Sequence, residues 1–123
     1  REDKVFVTVG SGGAFPSGTA DLTEEAQRII DRIALTAMSP DSSITVTGHT
    51  DDVPISNGQF RDNWDLGAGR AASVVQAIQN TGLISGERLS AVSKGETSPV
   101  ADNTTAAGRE KNRRIEIEIS YEN

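Results

Sequence analysis

The 123-residue chain contains no cysteine, which excludes a disulfide framework and a thiolate metal site. That absence agrees with an oxidising compartment without requiring one. Aromatic residues are scarce: Trp64, Tyr121 and three phenylalanines make up 4% of the chain, so the core has to be aliphatic. His49 is the only histidine, and its i, i+2 neighbour Asp51 has no second His or Cys to complete a metal site. No apolar run approaches a membrane span, and no signal-peptide pattern is present. Because the chain starts with Arg1 rather than Met, it is read as a fragment of a longer chain whose targeting or anchoring segment lies elsewhere. Positive charge is in deficit, with a formal net charge of −6. Nucleic acid and anionic membrane surfaces are therefore excluded as partners, since both draw on clustered Lys and Arg. An anionic ligand would need a local basic pocket.

What remains suits one compact domain over 1–123, long enough to bury a core without staples. "KVFVTV" (Lys4–Val9) reads as a strand and "GSGGAFPSG" (Gly10–Gly18) as a loop, together an N-terminal strand and loop over 1–20 ahead of a domain core over 21–119. From Leu22, apolar residues at three- and four-residue steps predict an amphipathic helix that ends before Pro40, with Asp21 just ahead of it. "SITVTG" (Ser43–Gly48) alternates like a half-buried strand. The spacing Gly67, Ala71, Val74, Val75, Ile78 predicts a second helix running to about Asn80, capped by Asp65 or Asn63 and stopped at Gly82. "RLSAVS" (Arg88–Ser93) and "RIEIEIS" (Arg114–Ser120) read as further strands, with a short helix within Thr104–Asn112. The order β-α-β-α-β-(α)-β predicts an α/β fold of the α+β two-layer type. It has a mixed four-stranded sheet, helices on one face, and Glu116 and Glu118 on the wet face.

Chemistry-bearing residues concentrate in "TGHTDDVPISNGQFRDNWDLGAGRAASVV" (residues 47–75). No "GxSxG" elbow marks a serine nucleophile. Asp51 paired with Asp62 or Asp65 has the residue types of a glycosidase, although clustered loop aspartates more often serve as turn and cap residues. No pattern points to a cofactor. Asp51, at the end of a strand, and Arg70, early in the next helix, form an opposite-charge pair. Such a pair suits a zwitterionic ligand, the guanidinium gripping a carboxylate and the aspartate accepting from an ammonium. The same two charges suit an internal salt bridge equally well. His49 is expected to hydrogen-bond the following loop. Arg113 and Arg114 should project to opposite faces of the last strand, one supporting a pocket and one solvated. "NTT" at Asn103 is too short a motif to carry weight.

"GHTD" (Gly48–Asp51), "NWDLGAGRA" (Asn63–Ala71), "PVADN" (Pro99–Asn103) and "NRRIEI" (Asn112–Ile117) resemble, in family order, the OmpA-like peptidoglycan-binding domain over roughly residues 43–119. "FPSGTADL" (Phe15–Leu22), Trp64 and the long insert Asp52–Asp62 resemble the MotB/PomB group of flagellar stator subunits. The resemblance implies noncovalent, non-enzymatic attachment to the peptide stem of peptidoglycan. Asp51 and Arg70 would take the ammonium and carboxylate of diaminopimelate, with Asn63, Leu66, Thr50 and Arg114 lining or bracing the same pocket and His49 at its border. It further implies a periplasmic domain of a single-pass inner-membrane protein, a homodimer, and a membrane-embedded stator partner. A general OmpA-type anchor of an outer-membrane protein or lipoprotein is the alternative within the fold. Departures from the family pattern are Gly67 in place of the usual serine, Gly69 in the same turn, and Lys94 in place of a small residue. At about 1 kcal/mol each relative to Ala in a helix interior, the two glycines are expected to loosen the turn that aims Arg70.

Overall fold

The computed structural model describes residues 2–122. Four strands, β1 (Glu2–Gly10), β2 (Ser42–His49), β3 (Leu89–Gly95) and β4 (Arg114–Glu122), form one sheet in the order β1-β4-β2-β3. The helices are a single turn α1 (Ser11–Ala14), then α2 (Glu24–Thr36), α3 (Asn63–Asn80) and α4 (Ala106–Asn112). β4 runs antiparallel to both β1 and β2, whereas β2 and β3 are parallel. A parallel pair needs a crossover, and α3 supplies it. The mixed sheet predicted from the sequence is the one observed, with α1 as a turn of helix inside the expected Gly10–Gly18 loop.

The core follows from the alternation in β2 and β4. Ile44, Val46, Ile115, Ile117 and Ile119 are buried under Ala26, Ile30, Ile33 and Ala34 of α2 and Ala71, Val74, Ala77 and Ile78 of α3. Each fully buried isoleucine contributes about 1.5–3 kcal/mol relative to an exposed one. The opposite face stays open, and Phe6 there is 69% exposed. Among the described residues no helix is long and apolar enough to cross a membrane.

Two helix starts differ from expectation because side-chain caps decide them. Thr23 caps α2, its hydroxyl accepting from the Ala26 amide at 3.2 Å, so that the helix starts at Glu24 and not at Leu22. Asp62 caps α3, accepting from the Asp65 amide at 2.9 Å. Asn63 and Asp65 therefore lie inside the helix instead of capping it. This extra turn matters for the site, because Asn63, Leu66, Gly67 and Arg70 then fall on one buried face at three- and four-residue steps. Gly82, with φ +76°, ends the helix region as expected.

The helix glycines do the opposite of loosening. A Cβ on Gly48 would lie 2.1 Å from the Gly67 carbonyl oxygen, and one on Gly67 would lie 2.5 Å from Ser93 Oγ and 3.0 Å from the Gly48 oxygen. A Cβ on Gly69 would meet the Phe60 ring at 2.8 Å. α3 is thus seated backbone-to-backbone on β2, and Ser93 Oγ of β3 donates to the Trp64 carbonyl at 2.8 Å to hold its first turn. Gly48→Ala is expected to lower stability by at least the ~1–3 kcal/mol typical of overpacking, read as a lower urea midpoint, whereas Gly58→Ala, where a Cβ meets nothing within 4 Å, should leave that midpoint nearly unchanged.

Candidate functional site

The loop that follows β2 and the first turns of α3 line one cavity of about 550 Å³. As β2 ends, the Thr50 amide donates to the Gly95 carbonyl at 2.8 Å and the Thr50 hydroxyl to the Asp51 carbonyl at 2.8 Å. The Asp51 carboxylate, with its side chain only 11% exposed, accepts from the Val53 amide at 3.0 Å and from Arg113 Nη1 at 2.6 Å. Asn63 pins the start of the insert: its Nδ2 donates to the carbonyls of Asp51 (3.3 Å) and Val53 (3.1 Å) and to Glu96 Oε1 (3.2 Å). Farther along the insert, Asn57 Oδ1 accepts from the amides of Gln59 and Phe60, each at 2.8 Å, and Phe60 is buried.

Arg70 is buried, at 5% exposure. Its Nε donates to the Thr19 carbonyl at 2.8 Å, and its guanidinium sits 4.9 Å from the centroid of the buried Phe15 ring. Among the described residues no carboxylate comes within ion-pair distance of it. Burial pushes its pKa below the ordinary arginine value, the neighbouring Arg113 charge adds to that, and Asp51 opposes it. Arginine is charged throughout the working range regardless, so the cavity holds a buried cation without a counter-ion. Arg109 also lines the cavity, with Nη1 donating to the Asn103 carbonyl at 2.9 Å. Three guanidiniums against one carboxylate give the lining a net charge of +2 in a chain of −6. This is the local basic pocket that an anionic or zwitterionic ligand requires.

Asp51, Asn63, Leu66 and Arg70, all proposed from sequence, line this cavity together. Thr50 lies behind Asp51 and outside the lining, bracing its carbonyl. Arg114 does not line it. Its guanidinium bonds Glu116 Oε2 (2.7 Å), the Ser98 carbonyl (3.0 Å) and the Asn112 carbonyl (3.1 Å). The two arginines do part company, but Arg113 faces the cavity and Arg114 is buried instead of solvated. The salt bridge open to Asp51 is made with Arg113, not Arg70. Of the two arginines weighed for the pocket, Arg113 is the one that lines it, whereas Phe15 and Arg109 were missed; the i, i+4 spacing of Arg109 and Arg113 along α4 and its C-cap was the available signal.

The paired-aspartate enzyme reading loses its second carboxylate. Asp62 caps α3, and Asp65 is ion-paired to Arg61 at 2.7 Å and held down to about 2 by the Arg61 hydrogen bonds. Neither lines the cavity, and a carboxyl so acidic cannot serve as a general acid near neutrality. Among the described residues no group of three or more His, Asp or Glu could hold a metal. A second cavity of about 520 Å³ between α2 and α3 is lined by Asp21, Asp31 and neutral residues, without a cation.

The class defined by these features is an α+β domain with a mixed sheet and a basic cleft just beyond the carboxyl end of β2. The model of the OmpA family matches residues 14–113, and the chain belongs to that family. It is 35% identical over 116 residues to Motility protein B of Bacillus subtilis (strain 168), covering 94% of this chain and 44% of that protein. The chain thus spans less than half of that relative. Among solved structures it is similar to the cell wall anchor of the T6SS from Pseudomonas aeruginosa, with a TM-score of 0.89, 35% identity, and 98% of this chain and 83% of that one covered. It is also similar to the periplasmic domain of Helicobacter pylori MotB, with a TM-score of 0.85, 29% identity, and 96% and 76% covered.

His49 neither borders the cavity nor bonds the next loop. It is buried on the opposite side of β2, with Nε2 3.3 Å from Glu116 Oε1, yet neither ring nitrogen has a hydrogen bond of proper geometry. Burial pushes its pKa below 6.5, aided by Arg114 and Lys94 and opposed by Glu116. Lys94, in place of a small residue, acts here as one more positive charge. The unfolded chain therefore binds a proton at higher pH than the folded one, and folding stability falls as pH drops from about 6.5 through the folded-state pKa. The urea midpoint is expected to decline between pH 7.5 and 5, and His49→Gln should flatten that decline, since the depressed carboxylates Asp65, Asp102 and Glu116 titrate lower still.

Proposed function

We propose that the domain binds the peptide stem of peptidoglycan noncovalently, without cleaving it, and so anchors a flagellar stator to the cell wall. The observation that carries this reading is the juxtaposition of Asp51 with an ion-unpaired, buried Arg70 on one cavity wall. The side end of diaminopimelate carries an ammonium and a carboxylate. Its carboxylate supplies the counter-ion that Arg70 lacks, and its ammonium replaces Arg113 at Asp51. Likeness to Motility protein B and to a MotB periplasmic domain supports the stator context. In this reading residues 1–123 act as one wall-binding unit in the periplasm, carried by a single membrane span outside this sequence. The unit works as a homodimer beside a membrane-embedded stator partner.

Likeness to the T6SS cell wall anchor favours a second reading, a wall anchor of a different assembly that uses the same cavity. Sequence ahead of Arg1 discriminates between them. One transmembrane helix bearing an aspartate fits a stator, and a β-barrel or lipobox defeats it.

Incubation with purified sacculi should pellet the domain without releasing soluble muropeptides; release would overturn the non-enzymatic reading. Asp51→Ala and Arg70→Ala should each cost about 2–5 kcal/mol of binding by leaving a ligand charge unpaired, a loss of roughly 30-fold or more. Pelleting should then be lost while the far-UV circular dichroism stays unchanged, and retained pelleting in both variants would sink the proposal.

A further inference from the structure

One ammonium and one carboxylate do not use up the cavity. Asp51 and Arg113 neutralise each other in the free protein, and Arg70 awaits one carboxylate. Once a ligand ammonium takes Asp51, both Arg113 and Arg109 face the same space with no carboxylate of the described residues within ion-pair distance. The two guanidiniums come from adjacent turns, and the Arg113 amide donates to the Arg109 carbonyl at 3.0 Å. Ser11 stands beside them in the cavity wall, its amide donating to the Arg113 carbonyl at 2.9 Å. Ser11 is buried, at 2% exposure, and its hydroxyl has no hydrogen-bond partner. Buried hydroxyls are rarely left in that state unless a ligand or water completes them.

From this arrangement we infer that Ser11, Arg109 and Arg113 form a second anion subsite, distinct from Arg70, that takes another carboxylate of the same ligand. This rests on the stem-peptide reading of the cavity. Guanidiniums released from an internal pair are well suited to a carboxylate, because their fork matches its two oxygens. The Asp51–Arg113 bridge then acts as an exchange element. The ammonium that breaks it frees the arginine that holds the second carboxylate, so the two ligand charges help each other to bind. The preferred ligand carries one ammonium and at least two free carboxylates, and amidation of the second carboxylate discriminates against it.

Calorimetric titration of the purified domain tests this with the tripeptide L-Ala-γ-D-Glu-meso-diaminopimelate and two derivatives. Each derivative carries an amide in place of one of the two carboxylates other than the diaminopimelate side end. One amide should bind the wild-type domain at least about tenfold more weakly than the free acid, a difference of ~1.4 kcal/mol, and that ratio should fall to within about twofold in Arg109→Gln. Equal binding of all three peptides to the wild type, or a ratio that persists in Arg109→Gln, removes the second subsite and leaves the stem-peptide reading standing. Failure of all three to bind overturns both.

Discussion

The seating of α3 on β2 through Gly48 and Gly67 is the constraint on which the rest depends. Two backbones approach so closely that a Cβ on Gly48 would run into the Gly67 carbonyl, while one on Gly67 would push Ser93 Oγ aside and press on the Gly48 oxygen. Three residues after Gly48 comes Asp51, and three after Gly67 comes Arg70, so the contact sets where each charge stands. The ~1 kcal/mol that a glycine costs a helix interior is set against this close approach of α3 to β2. Asn63 strengthens the same junction by tying the insert to the start of α3 through Asp51 and Val53.

Electrostatics divides the molecule between two sides of the sheet end. On the cavity side, a basic cluster persists in an acidic chain because Asp51 neutralises only one of its three arginines. An arginine buried against Phe15 without an ion pair among the described residues is costly to the fold. On the other side, Arg114 and Glu116 pair around His49, and their charges fix the strand end that leads to Asp51 without reaching the cavity. Consecutive arginines thus have different surroundings because Arg113 caps the end of α4 beside the cavity while Arg114 opens β4 and turns toward Glu116.

The family supplies a fold with a cleft at one sheet end, and the residues lining that cleft decide what it holds. Here the lining gathers three arginines, one aspartate and the buried Ser11 around one cleft.

Much of the fold was legible locally. Alternation in Ser43–Gly48 and Arg114–Ser120, apolar spacing in the two long helices, and Gly82 as a stop all act over a few residues, where periodicity is a reliable guide. Asp51, Asn63, Leu66 and Arg70 were legible too, by their likeness to a family pattern. Helix starts were read less well, since several adjacent Asp, Asn and Thr residues can each cap a helix and only the folded backbone chooses among them. The partner of Asp51, the cavity-facing arginine, the place of Phe15 under Arg70 and the purpose of Gly67 belong to tertiary structure. Each depends on segments dozens of residues apart meeting in space: Asp51 finds Arg113 across the β2–β4 end, and Arg70 finds Thr19 across α2 and α3. Elements and the charges they carry follow from local sequence; which charges pair, and which arginine is left without an ion pair among the described residues, was decided only when the sheet brought them together.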